Sequence, residues 1–175
     1  MKTFAAKQAR DVKRSPKLSR IFLLRIELPS DPKLLGVIRG ALEPLADSLE
    51  FSPEHCRAIT RAVDEAVSNI MRHSYKGRPD QPIEICCNRL QRRANGHTQQ
   101  GVEIQLVDCG PAVDTTKIQA RPLDEIRPGG LGLHIIRESM DTVQYRRTGR
   151  LNRLRLVKYV RSSEDIYGSS KEKEL

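Results

Sequence analysis

Apolar and polar positions follow two periods along this chain, and the changes of period mark its elements. Ile21 to Leu28 reads IFLLRIEL, an apolar strand-like run closed by Pro29. Ser30, Asp31 and Pro32 then give a helix start with proline near the first turn. Leu34, Leu35, Val37, Ile38, Ala41, Leu42 and Leu45 recur at helical spacing. Pro44 is expected to end or kink that helix close to Glu43, because proline lacks the amide donor and its ring clashes with the preceding turn. Ser52-Pro53-Glu54 is a second helix start, with an acid where the helix dipole favours it, and a long helix should run from there to about Ser74. Strand patterns follow at 83–90 and 102–107 around a turn containing Asn95-Gly96, which predicts a hairpin. Residues 109–128 hold three prolines and no clear period, a loop of a length that is usually functional or mobile. Leu131 to Met140 reads as a helix opening just after Gly129-Gly130, and 142–147 and 151–160 alternate as a second hairpin around Gly149. This order predicts an α+β fold, a two-layer sandwich with a mixed, mostly antiparallel sheet and helices on one face.

Composition narrows the classes. No apolar run approaches the roughly 18 residues of a membrane helix, and the N-terminus lacks the apolar stretch of a signal peptide, so a soluble cytoplasmic protein with no membrane partner is expected. Cys56, Cys86, Cys87 and Cys109 form no CxxC pair and suit neither a disulfide framework nor a zinc site. The core must be aliphatic, since the chain has no Trp. Residues 1–20 hold seven basic side chains against Asp11, a net +6 of the chain's +9. They read as a basic, flexible arm before a domain at 21–160, with 161–175 a polar tail.

Three groups of residues suggest chemistry. On the long helix Glu65, Asn69 and His73 form an i, i+4, i+8 row along the border of the apolar face, whereas Arg57, Arg61, Asp64, Ser68 and Arg72 fall on the solvent side. The row fits an ordinary helix edge, or a carboxylate for base chemistry beside an amide oxygen for a hard cation such as magnesium. Asp108-Cys109-Gly110 ends an apolar strand, where the carboxylate fits either a turn cap or the floor of a pocket that accepts a ligand amino group. Gly129-Gly130-Leu131-Gly132 precedes a helix, whose first amides attract phosphate. The P-loop, a complete GxGxxG after a strand, and the HRD and DFG kinase sequences are all missing.

Taken in order, Glu65-Ala66-Val67-Ser68-Asn69 with His73-Ser74-Tyr75, then Asp108-Cys109-Gly110, then Pro128-Gly129-Gly130-Leu131-Gly132-Leu133, resemble the N, G1 and G2 boxes of the GHKL ATPase superfamily. Within it the match is to anti-sigma factor serine kinases of the RsbW and SpoIIAB type, over roughly 20–160, and Asn152-Arg153-Leu154-Arg155-Leu156 also resembles that branch. The resemblance implies the Bergerat ATP-binding fold, with the long loop as the ATP lid. It implies ATP and Mg2+ as cofactors, Asn69 as the magnesium ligand and Glu65 as general base. It implies Asp108 as acceptor of the adenine amino group, Gly110 as the glycine against the base, and Gly129, Gly130, Leu131 and Gly132 as the cap of the triphosphate. Ala112 and Val113 depart from the G1 box, where many relatives have a second glycine or a proline followed by phenylalanine.

The function so implied is a protein serine kinase that switches partners, binding a sigma factor or phosphorylating a serine of a STAS-domain antagonist; relatives of this type are often homodimers. An alternative is a non-catalytic, ATP-gated interaction module. A nucleic-acid binder is suggested by charge alone, because Arg89, Arg92, Arg93, Arg146, Arg147, Arg150, Arg153, Arg155 and Lys158 carry no groove-reading motif or aromatic stacking set.

Overall fold

The computed structural model describes residues 18–94, 97–112 and 131–160. Its elements run β1 (Leu18–Pro29), α1 (Leu35–Ser48), α2 (Pro53–Asn69), β2 (Pro82–Ala94), β3 (His97–Asp108), α3 (Leu131–Ser139), β4 (Thr142–Thr148) and β5 (Leu151–Tyr159). The strands form one sheet in the order β1-β2-β3-β5-β4, and every pairing is antiparallel. The expected α+β class is observed; the sheet among the described residues is antiparallel throughout rather than mixed.

Period-two alternation gives the sheet one apolar face. Ile83, Ile85 and Cys87 of β2, Val102, Ile104 and Leu106 of β3, and Leu156 of β5 join a single core with the helices. α1 contributes Ile38, Leu42 and Ala46, and α2 contributes Cys56, Ile59, Ala62, Val63, Ala66 and Val67. Each large aliphatic side chain so buried stabilises by about 1.5–3 kcal/mol. Ser52 caps α2 as its sequence predicts, its hydroxyl accepting from the His55 amide at 3.3 Å.

Pro44 does not end α1, which continues to Ser48. A proline inside a helix costs about 3 kcal/mol, but Leu42, Ala46 and Leu49 on either side of it are buried in the core, and this packing holds the last turn against the sheet. β1 starts at Leu18, three residues before the apolar run, so Arg20 belongs to the sheet. Its guanidinium meets Glu103 at 3.1 Å on the face away from the helices.

A second correction bears on the site. The long helix is α-helical only to Asn69, and Ile70–Ser74 form a π turn in which the Tyr75 amide donates to the Ile70 carbonyl at 2.9 Å. Such turns recur at functional positions. The wider turn breaks the i+4 row: His73 is exposed, while Ser74 and Tyr75 are buried.

Candidate functional site

The open end of the sheet below α2 carries a polar row. Register pairs Asp108 of β3 with Asn152 of β5, and Asn152 with Arg147 of β4, so three polar side chains stand side by side across three strands. Asp108 and Asn152 are 5% and 1% exposed, and groups so buried need partners. Asn152 Nδ2 donates to Asp108 Oδ1 at 2.8 Å, and to the carbonyls of Gly110 and Pro111 at 3.2 Å each. Its Oδ1 accepts from Tyr145 Oη at 2.6 Å and Arg147 Nη1 at 2.5 Å, which fixes the amide with its NH2 towards the carboxylate. The Gly110 amide also donates to Asp108 Oδ1 at 2.8 Å. Among the described residues both donors to Asp108 use Oδ1, and Oδ2 is the oxygen left to receive an amino group.

Tyr75 ties this end of the sheet to the end of α2. Its hydroxyl donates to the Pro82 carbonyl at 2.6 Å and accepts from the Cys109 amide at 2.9 Å. Burial pushes the phenol pKa up, with the amide bond opposing. Gly110 lies so close to the π turn that a Cβ there would stand 2.5 Å from Ser74 Cβ, so this position requires glycine for close approach.

The second half of the site lies on the edge of α2, where α3 packs against it. Gly132 faces Glu65, and a Cβ at 132 would fall inside the van der Waals radius of Glu65 Oε1. Arg72 Nη2 lies 3.2 Å from Glu65 Oε1 and 3.5 Å from Asn69 Oδ1. The carboxylate and the amide oxygen thus already converge on one cationic group, the donor set a hard divalent cation takes. Among the described residues no group of three His, Cys, Asp or Glu stands ready to hold a metal alone, so a cation at Glu65 and Asn69 would take its further oxygens from water or from a bound ligand.

Of the residues singled out from sequence, the structure brings Glu65, Asn69 and Gly132 together at α2 and α3, and Asp108 with Gly110 at the sheet end. Leu131 opens α3. Gly129, Gly130 and Val113 lie outside the described residues. Asn152, Tyr145, Arg147, Tyr75 and Arg72 were not read as site residues. A hairpin turning at Gly149 pairs Arg147 with Asn152, but the sequence does not show which strand lies beside β5, and hence not the contact with Asp108. A groove of about 780 Å³ opens at the same end of the sheet, with Glu27, Glu84, Val107 and Arg153 in its wall and with Pro82 and Cys109, the partners of the Tyr75 hydroxyl, also lining it.

Fold and site define a two-layer α+β domain whose paired carboxylate and amide edge, glycine contacts and buried aspartate suit a nucleotide. The family described as histidine kinase-like ATPase domain matches residues 28–158. The chain is 28% identical over 135 residues to the serine-protein kinase RsbW of Oceanobacillus iheyensis, covering 73% of this chain and 80% of that protein. It is 32% identical over 105 residues to the serine/threonine-protein kinase BtrW of Bordetella bronchiseptica, covering 58% and 68%. In fold it is similar to a chain of the SiaB–SiaC complex from Pseudomonas aeruginosa, with a TM-score of 0.53, 18% identity, and coverage of 78% of this chain and 89% of that one. The chain belongs to the histidine kinase-like ATPase domain family, among its RsbW-type protein serine kinases.

Proposed function

We propose that this chain is a Mg-ATP-dependent protein serine kinase acting as an anti-sigma, partner-switching regulator in the cytoplasm, and that it phosphorylates a serine of a STAS-type antagonist. The observation that carries the reading is the meeting of Glu65 Oε1 and Asn69 Oδ1 on one cation beside Gly132. In this reading Asp108 Oδ2 accepts the adenine amino group while Asn152 and the Gly110 amide hold Oδ1, and the Gly110 backbone lies against the base, as the resemblance implies. Gly129, Gly130, Leu131 and Gly132 cap the triphosphate at the start of α3, where unpaired amides favour anions. Asn69 gives its amide oxygen to the magnesium, which when bound neutralises charge on the phosphates. Glu65 takes the proton of the serine hydroxyl as its oxygen bonds to the γ-phosphorus and ADP departs. The names of the relatives support the kinase class; the sigma factor, the antagonist and a homodimer rest on the resemblance.

The test is to incubate the full chain with radiolabelled ATP, Mg2+ and a STAS-domain protein. Phosphoserine is expected on the antagonist and is expected to vanish with Glu65→Gln. Nucleotide binding without phosphorylation of any partner would overturn the kinase reading in favour of an ATP-gated interaction module.

A further inference from the structure

The π turn that follows α2 carries a third group, which helical spacing assigns to solvent. Arg72 reaches back along its own helix: Nε donates to the Ser68 carbonyl at 3.3 Å, while Nη2 lies 3.2 Å from Glu65 Oε1 and 3.5 Å from Asn69 Oδ1. The backbone anchor and the two side-chain contacts hold the guanidinium over the two oxygens that the proposed function gives to the base and to the metal. Only movement or replacement takes this group off these oxygens.

We propose that Arg72 competes with a divalent metal for Asn69 Oδ1, so that a metal arriving with nucleotide must displace the guanidinium from it. The inference rests on the reading of Glu65 and Asn69 given above. Magnesium binds its oxygens at about 2.0–2.1 Å and demands near-octahedral geometry. A guanidinium nitrogen on the same amide oxygen brings a second positive charge within a few ångströms of that metal, and like charges so placed oppose each other. Arg72 has room to yield, because its side chain is 60% exposed whereas that of Glu65 is 24% exposed. Arg72 is therefore a positioning residue. It pairs with the Glu65 carboxylate, and it sets how much free metal the nucleotide complex requires.

The experiment titrates Mn2+ into the full chain saturated with ADP and reads free Mn2+ by electron paramagnetic resonance, corrected for Mn2+ bound to ADP without protein. Arg72→Ala and Arg72→Gln are expected to lower the half-saturating Mn2+ concentration about three- to tenfold, the range set by partial solvent screening of the lost repulsion. Thermal melting confirms that both variants are folded, as the exposure of Arg72 predicts. An unchanged or raised half-saturating concentration in the two variants would overturn the proposal. Calorimetry of ADP on the parent chain separates the two readings: if nucleotide fails to bind there, the nucleotide site itself is refuted; if it binds and the variants match the parent, only the role of Arg72 falls.

Discussion

Asn152 holds Asp108 by a single oxygen: Nδ2 donates to Oδ1 at 2.8 Å, and the amide cannot flip because Tyr145 and Arg147 both donate to its own oxygen. A flip would set an amide oxygen against a buried carboxylate and an NH2 group against the Tyr145 and Arg147 donors. Asn152→Ala should therefore leave Asp108 under-satisfied, at a cost of about 1–3 kcal/mol in folding, and should weaken ATP at least about tenfold by freeing the carboxylate to turn. Asn152→Asp should be worse, since it sets a second carboxylate beside the first. Denaturant melts and calorimetry with ATP check both effects; wild-type ATP affinity in Asn152→Ala would show that Asp108 does not need this partner.

The two close-approach glycines should fail in different ways. At Gly110 an added Cβ meets Ser74 Cβ at 2.5 Å and Ser74 Cα at 3.1 Å. Neither atom can rotate away, so Gly110→Ala should cost folding stability, about 1–3 kcal/mol as overpacking. At Gly132 the added Cβ meets the far end of the Glu65 side chain, which can rotate away. Gly132→Ala should melt near the parent temperature yet lose most phosphoryl transfer, because the carboxylate is pushed from its place. Equal losses of stability in the two variants would contradict this division.

How far the sequence displays the site depends on whether its geometry is local or crosses strands. Glu65 and Asn69 share a helix edge by spacing alone, and Ser52 caps its helix because capping is chemistry between near neighbours. His73 fell off the row because a π turn begins at Ile70, and nothing in Ile70-Met71-Arg72-His73-Ser74 announces a change from 3.6 residues per turn. The local cost of Pro44, which predicts an end or a kink, is visible in sequence, whereas the burial of Ala46 and Leu49 beyond it, which carries the helix on to Ser48, is a tertiary fact. The partnership of Asp108 with Asn152, 44 residues apart, follows from the placement of β5 between β3 and β4. The basic balance also reads differently once Arg20 is seen in the sheet against Glu103.

Tyr75 joins the π turn to the sheet through one oxygen, donating to Pro82 and accepting from Cys109. Tyr75→Phe keeps the ring and deletes both bonds, leaving a carbonyl and an amide to find water. The expected cost is about 1–3 kcal/mol. Hydrogen exchange should rise at the Cys109 amide more than in the middle of β3, since the lost bond ends there. Unchanged protection at Cys109 would show that the hydroxyl does not secure the strand end.

Cys87 gives the fold an alkaline limit. Its thiol is buried in the core between strands, and burial first, then the neighbouring Cys86, pushes its pKa from 9.0 to about 12. In the unfolded chain the thiol ionises near its ordinary value, while in the folded chain it stays protonated. The stability it confers is therefore fully present below pH 9 and is lost as pH rises from 9 towards 12, at up to about 1.4 kcal/mol per pH unit. Cys87→Ala should lower stability at neutral pH through the lost packing but flatten its decline above pH 9. In thiol labelling of the native protein, the exposed Cys109 should react first and Cys87 only on unfolding. A parallel decline of parent and variant between pH 9 and pH 11 would rule Cys87 out as the group responsible.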